Sequence, residues 1–530
     1  MFGLSSAAKL FGGGEASTRP AKRKPARCRL GIEALEERSL MSANVLQINL
    51  VSDLPGVAVF QDPNLINPWG ISQGPGPLWI ANNNSGTSTI YNGQGVAVSP
   101  LNPNGAALIV SIPTPGDPTG HSGTPDGTVF NPTFQNANPA FLITDGTHTA
   151  PAIFLFATED GTIVGWNPGV NPAGSDPSQA GTFGTIAVDN SGNNFTEADP
   201  LKRTGAVYKG LTLATNSAGQ TFLYAANFRT GKIDVFDSNF QLVTSLPAGA
   251  FSDPHLPRGY APFNVETLNG KIYVTYARQD AARHDPVSGM GRGIVDVFNL
   301  DGSPGLAGGK VRLVTGGVLN SPWGLALAPA TFGRFAGDLM VGNFGNGRIN
   351  IFDPNTGRFL STVTDPDGAP IQIDGLWALR AGNGFAGTDT NTIYFTAGLD
   401  HEKHGLFGSL TAAAPGSPEG VAEAQAVVAA LDIVQLDLAT LTRDMGFGVS
   451  PAGIQQDLQI LNADFASLSS AERHFQQDTT SDLAKGQLFA RFARLPPDNQ
   501  AFAGSSQAAL TALFAELGSH SLGDPFGRLS

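Results

Sequence analysis

Six segments of the chain repeat the same order of short apolar runs, and this order limits the folds that the chain can adopt. In the clearest copy, residues 321–328 (SPWGLALA), 338–343 (DLMVGN) and 347–353 (GRINIFD) follow one another between turn residues. Four further copies begin at residues 67, 209, 261 and 374, and a diverged copy covers residues 141–166. The runs are rich in β-branched and aromatic residues and are bounded by Gly, Asn and Asp, as β-strands are.

The repeats predict an all-β fold, a six-bladed β-propeller of the NHL-like kind over residues 44–412. Each copy holds the content of about four strands, which is one propeller blade. A β-sandwich is the alternative fold, but it would not produce six copies with the same internal order. Residues 45–51 (VLQINLV) precede the first full copy. Because an open ring leaves a strand edge unpaired, we predict that this segment pairs with the last blade as the closing outer strand.

The pattern changes at both ends of the predicted propeller. Residues 1–43 form a basic leader rich in Gly, Ser and Ala, which we expect to be disordered. Residues 413–420 are typical of a linker, and apolar residues at helical spacing predict a small helical bundle or hairpin over residues 421–517. No run of 18 apolar residues occurs, so no transmembrane segment is expected.

Charge is distributed unevenly along the chain. The net charge is −13, yet the first 40 residues hold eight Lys or Arg and only four Glu. The body of the protein is therefore acidic, which argues against a nucleic-acid partner because such partners require a basic surface. Cys28 is the one cysteine, so no intrachain disulfide can form.

A short N-terminal segment, residues 33–43 (EALEERSLMSA), resembles the LEPR-XLL element at the start of many large bacterial surface proteins, chiefly planctomycetal. Glu37 stands where that element often has Pro, and Met41 replaces a Leu. The resemblance implies export to the cell envelope or the extracellular space.

The predicted propeller itself is similar to an uncharacterised propeller family associated with bacterial PEP-CTERM sorting. The similarity is carried by residues 67–71 (NPWGI), 121–125 (HSGTP), 157–163 (ATEDGTI) and 404–408 (HGLFG). It implies no activity. A PEP-CTERM tail is not visible, and we expect the N-terminal element to take over the export or anchoring role.

Polar residues that open the predicted inner strands are candidates for a ligand site, because inner strands of all blades converge at the middle of a propeller. Two more candidates, Glu402 and His404, lie in a loop of the last copy. His401 and His404 in this loop are spaced too closely for the helical zinc-protease pattern. The full candidate set is Asn67, Lys209, Asn264, Glu266, Asp374, Glu402 and His404. Asn264, Glu266 and Asp374 offer oxygen ligands that suit Ca²⁺. The alternative is that these groups satisfy backbone groups at strand ends.

Three functions are compatible with these patterns. The first is an exported binding module for an envelope protein or a glycan. The second is a Ca²⁺-dependent hydrolase of the lactonase or phosphotriesterase type, with Asn, Glu and Asp at the propeller mouth. The third is a structural surface scaffold, which predicts a channel filled with apolar side chains, whereas a mouth lined by acids would contradict it.

Overall fold

The computed structural model describes residues 44–413, except 103–104, 118, 121, 173–174, 176–180 and 367. The predicted leader, and the predicted linker and helices from residue 414 onward, lie outside the described residues. Within the described part, no helix is long and apolar enough to span a membrane.

The described chain folds into seven sheets, and the six larger ones, which are mainly antiparallel, are the six blades of a propeller, so the predicted fold class is confirmed. The first three blades comprise β3–β6 (Pro68–Gln73, Leu78–Asn82, Thr87–Tyr91, Ile109–Ser111), β7 with β10–β12 (Pro125–Phe130, Phe154–Thr158, Thr162–Trp166, Thr185–Asp189) and β13–β15 (Tyr208–Thr215, Thr221–Asn227, Lys232–Phe236). The next two comprise β16–β19 (Tyr260–Leu268, Lys271–Arg278, Ile294–Phe298, Arg312–Thr315) and β20–β23 (Pro322–Leu327, Leu339–Asn343, Ile349–Phe352, Phe359–Thr362). The sixth comprises β24–β26 (Leu376–Ala381, Thr392–Gly398, His404–Ala412) with β1 (Val45–Ser52) and β2 (Phe60–Gln61).

The ring is closed by β1, as the sequence predicts. This strand pairs antiparallel with β26, with Val45 opposite Ala412 and Ser52 opposite Leu406. The inner strands contact one another in the cyclic order β3, β7, β13, β16, β20, β24 and back to β3. The first and last blades are thus joined both at the inner wall and through the closing strand.

The second blade corrects one prediction. Residues 141–144 do not begin this blade, because Leu142–Thr144 (β8) pairs with Thr149–Pro151 (β9) in a separate hairpin. The inner strand is β7, in which Asp126 precedes Gly127 where the first and fifth blades have Trp before Gly. With an acidic residue at this position, β7 was not recognised as a copy of the repeat. Phe141 and Ile143 are apolar because they are buried against the blade, and the segment that holds them was therefore taken for the first strand.

The hydrophobic core lies between adjacent blades. One cluster packs Leu155 and Ile163 of the second blade against Leu211 and Leu223 of the third. All four residues of β22 are buried, so both faces of that strand are covered, as the mixed pattern of the repeat predicts. Besides the strands, the described chain has short 3-10 turns at Pro200–Lys202 and Ala330–Phe335, and a helical turn at Leu399–Glu402.

Candidate functional site

Each inner strand carries a β-bulge near its start, and the bulged positions supply the side chains that line one level of the channel. The register against the neighbouring strand shifts at this point in all six blades. Bulges re-aim side chains, which explains why these residues meet at the channel. We call these residues the bulge ring: Trp69, Asp126, Lys209, Phe263, Trp323 and Trp377.

Close approach of the inner strands makes this level narrow. A Cβ on Gly127 would lie 2.5 Å from the backbone nitrogen of Leu211, and a Cβ on Gly70 would overlap the carbonyl oxygen of Asp126. Glycine is required at both positions because the neighbouring backbone occupies the space that a side chain would need.

The four aromatic members of the bulge ring fill most of the channel. Trp69 stacks on Trp377 with ring centroids 3.3 Å apart, and Trp323 meets both rings edge-on at 6.1 and 6.0 Å. Phe263 completes the group against Trp69 and Trp377. All four are buried, so they close the channel with an apolar layer.

The two charged members of the bulge ring form a buried ion network, the Lys209 cluster. Lys209 and Asp126 are fully buried, and Nζ of Lys209 contacts Oε1 of Glu159 and lies 3.7 Å from Oδ2 of Asp126. Nδ2 of Asn83 donates to Oδ1 of Asp126 at 2.6 Å and to Oε2 of Glu159 at 3.0 Å. Nζ also lies 3.9 Å from Oδ1 of Asp285 and 4.6 Å from the Trp69 ring centroid.

The charges of this cluster are strongly coupled. Burial lowers the pKa of Lys209, but the carboxylates of Glu159, Asp126 and Asp285 outweigh burial and raise the pKa above its ordinary value. Burial and the charge of Glu159 raise the pKa of Asp126 well above its usual range. Lys209 is therefore held as an ammonium ion among carboxylates inside the protein.

A strained turn brings Glu402 to the end of the channel where the Lys209 cluster lies. We call this end of the channel the mouth. Asp400, His401 and Glu402 have consecutive left-handed φ angles of 47°, 57° and 67°. Oε2 of Glu402 accepts a hydrogen bond from Nδ2 of Asn67 at 3.0 Å, and its carbonyl oxygen accepts from Nδ2 of Asn84 at 2.6 Å. Left-handed conformation costs non-glycine residues about 1–2 kcal/mol each, so these contacts offset a local penalty. Strain of this kind concentrates at functional sites.

A cavity of about 360 Å³ lies beside the Lys209 cluster and shares Glu159 with it. Seven of its eight lining residues are polar or charged, and they include both acidic and basic side chains. The lining residues are Thr124, Glu159, Asp160, Asn194, Phe195, Arg203, Arg229 and His284. Phe195 is the apolar member, and 48% of its surface is exposed. We call this space the mouth cavity; its volume falls in the range of small-ligand sites.

The acids of the mouth cavity already have partners. Oδ2 of Asp160 accepts from the amide and the hydroxyl of Thr124 at 2.8 and 2.9 Å. Burial raises the pKa of Asp160. Nδ1 of His284 lies 2.9 Å from Oδ1 of Asp285, an orientation that leaves Nε2 of the ring for other partners.

Glu159, His284 and Asp285 each offer one potential metal-ligand atom, all within 4.8 Å of one another. The ammonium of Lys209 contacts Glu159 and lies 3.9 Å from the carboxylate of Asp285. It therefore supplies positive charge where a cation would bind, and it would repel a divalent ion there.

The structure separates the seven residues predicted from the sequence into three places. Asn67, Lys209 and Glu402 lie at the mouth. Asn264 and Glu266 line a second channel cavity of about 20 Å³, where Glu266 lies 3.8 Å from Nη1 of Arg380. Burial raises the pKa of Glu266 to about 7 against the opposing charge of Arg380.

Asp374 and His404 line neither cavity. The exposed Asp374 accepts a hydrogen bond from the amide of Asp400 at 3.0 Å, and Nδ1 of His404 lies 2.7 Å from Oδ2 of Asp53. Asn264 donates to the carbonyl oxygen of Trp323 at 2.8 Å, so its amide serves the backbone. The proposed calcium trio of Asn264, Glu266 and Asp374 thus divides between a channel and an outer loop.

The sequence analysis named Glu402 but missed the equivalent turns, between the second and third strands, of the other five blades. All six turns contribute side chains to the mouth: Asn83, Glu159, Arg229, Asp285, Phe344 and Glu402. The Glu159–Asp160 pair does form a hairpin turn, but its side chains also build the site. Comparing the second turn of each repeat would have revealed this set, since equivalent turns in a propeller face the same end.

A comparison with protein-family models found no match. Two proteins of Acanthamoeba polyphaga mimivirus are similar over the propeller's length. Uncharacterized protein R648 is 36% identical over 365 residues, which is 68% of this chain and 78% of R648. The chain belongs to the family of R648. Uncharacterized protein L690 is 34% identical over 369 residues, covering 68% of this chain and 84% of L690.

Solved structures resemble this member of the R648 family only distantly. The PQQ-bound aldose sugar dehydrogenase of Streptomyces coelicolor shares 12% identity, with a TM-score of 0.35 over 70% of this chain and 98% of that one. The Penicillium chrysogenum α-L-arabinanase complexed with arabinobiose shares 16% identity, with a TM-score of 0.37 over the same shares of the two chains. At these scores neither structure bears on what the R648-family chain binds.

Proposed function

We propose that this member of the R648 family is an exported binding module that holds a glycan in the mouth cavity. One observation carries the proposal: a cavity of about 360 Å³, lined mostly by polar residues of the second to fourth blades, lies at the mouth. A concave polar site of this size suits a small ligand better than a protein partner, which needs a broad surface. Export is supported by the LEPR-XLL-like residues 33–43.

The lining of the cavity suits a sugar. The guanidinium group of half-buried Arg203 and Nε2 of His284 line the cavity and offer hydrogen-bond partners for hydroxyl groups. The exposed ring of Phe195 offers an apolar surface on which the C–H face of a sugar can pack. The aromatic layer in the channel is what a scaffold without a ligand predicts, whereas the acids at the mouth argue against that function.

A glycan array, followed by calorimetry with the full chain, tests this proposal. Phe195→Ala should weaken glycan binding about 3- to 10-fold, because an aromatic packing contact contributes about 0.5–1.5 kcal/mol. Phe359→Ala is a matched control, since Phe359 is 45% exposed but lies on the outer strand β23. Absence of any glycan ligand, or an equal loss in both variants, would contradict the proposal.

A Ca²⁺-dependent hydrolase is the second candidate, and the cluster of Glu159, His284 and Asp285 is the observation that favours it. Calorimetry with Ca²⁺ tests this alternative directly. Binding that Asp285→Asn abolishes would support the hydrolase. Ca²⁺ binding that appears only after Lys209→Met would instead show that the ammonium takes the place of the metal.

A further inference from the structure

Arg229 is a buried cation without an acidic partner. Only 3% of its surface is exposed, yet no carboxylate lies within 4.0 Å of its guanidinium among the described residues. Nη1 donates to two neutral acceptors, Oδ1 of Asn194 and the carbonyl oxygen of Gly205. Nε is buried and has no hydrogen-bond partner in the described part of the chain. A buried charge without a counter-ion is costly, so a negatively charged ligand near Arg229 would be stabilising.

Other arginines increase the positive charge at this place. Burial, together with the charges of Arg203 and Arg283, lowers the pKa of Arg229, and Asp280 opposes them only weakly. Oδ1 of Asp280 is occupied by the amide of His284 at 2.8 Å. Arg203 also lines the mouth cavity and lacks a carboxylate within 4.0 Å among the described residues.

The acids of the same cavity do not neutralise these arginines. Both carboxylate oxygens of Glu159 are bonded, one to Lys209 and the other to Asn83. Asp160 is bonded to Thr124. The acidic side chains are therefore satisfied within the protein, while Arg203 and Arg229 line the cavity without a carboxylate partner among the described residues.

We infer that Arg229 and Arg203 form an anion subsite, which binds the carboxylate of an acidic sugar in the mouth cavity. This inference rests on the proposed glycan function and names its ligand class as uronic acids. Guanidinium groups bind carboxylates through paired charged hydrogen bonds, which neutral sugars cannot form. Half-buried Arg203 lines the cavity and supplies such donors to a ligand, while the buried charge of Arg229 lies behind it in the same wall.

Calorimetry of the full chain with D-glucuronate and D-glucose tests the inference, because these sugars differ only at the C6 group. Sodium sulfate is titrated separately as a free oxyanion. We expect glucuronate to bind at least about tenfold more tightly than glucose, since charged hydrogen bonds are about twice as strong as neutral ones. Arg203→Gln should remove most of this preference.

Arg203 is half-buried, so Arg203→Gln should fold even if Arg229→Gln does not. Arg292→Gln is the matched control, because Arg292 bonds the carbonyl oxygen of Ser288 and does not line the cavity. Equal affinity for glucuronate and glucose would overturn the anion subsite but leave glycan binding intact. Sulfate binding that needs Arg203, with no sugar binding, would support the subsite and overturn the glycan function. No binding of any of the three at millimolar concentration would overturn both.

Discussion

Replacing Lys209 with methionine is expected to destabilise the propeller severely. Methionine keeps most of the side-chain volume but removes the ammonium that Glu159 and Asp126 share. Both Lys209 and Asp126 have fully buried side chains, so the remaining carboxylates would stay in the protein without a counter-ion. Removing one partner of a buried pair costs about 3–5 kcal/mol. The contact with Asp285 adds little, because that side chain is 64% exposed and screened by water.

Urea unfolding followed by circular dichroism measures this loss. The penalty should shrink as pH falls, because the pKa of Asp126 is already raised by burial and rises further without Lys209. A carboxyl whose folded-state pKa is raised takes up a proton on acidification, so lost stability returns below that pKa. Lys202→Met is the control, since Lys202 is 69% exposed in its pair with Asp199. A change of less than about 1 kcal/mol in Lys209→Met, measured near neutral pH, would refute the reasoning.

Two further predictions concern the channel and the strained turn. Glu266→Gln should make stability less dependent on pH: burial raises the pKa of Glu266 to about 7, so wild-type stability falls as pH rises towards 7. The urea midpoint of the variant should exceed that of the wild type above pH 7, and the difference should vanish near the unfolded-state pKa of about 4.3. A difference in midpoint that stays the same at every pH would contradict this. His401→Gly should raise stability by about 1 kcal/mol, because glycine adopts the left-handed φ of 57° without penalty. His255→Gly, at an exposed position without positive φ, is the control and should bring no gain in melting temperature.

The fold was largely predictable because the blades repeat the same order of apolar strands and turn residues along the chain. Pro-Trp-Gly in β3 and β20 marks an inner strand with a bulge and a close approach, and both copies were recognised. The closing strand β1 was predictable because a ring with a free edge is unstable. The inner strand β7 was not, because Asp126 replaces Trp there and residues 131–153, which hold the β8–β9 hairpin, separate β7 from the next strand of its blade.

The site was predictable only in part. Lys209 and Asn67 were found because a polar residue at the start of an apolar strand is conspicuous. Glu159 and Arg229 lie in turns, where polar residues are ordinary, so nothing local distinguishes them from solvent-exposed residues. Their role follows from pairings that span many residues, such as Lys209 with Glu159, and such pairings arise only when neighbouring blades pack together.

The closing strand has a mechanical consequence when the chain is pulled from both ends. The two ends of the described propeller meet, since the amide of Ala413 donates to the carbonyl oxygen of Asn44 at 2.9 Å. The strands β1 and β26 run antiparallel from this point. Tension applied through both chain ends would therefore peel β1 from β26 one hydrogen bond at a time, instead of loading all bonds together. The propeller would yield first at the seam of its sixth blade, while the Lys209 cluster, built from the first four blades, would remain intact until the ring opened.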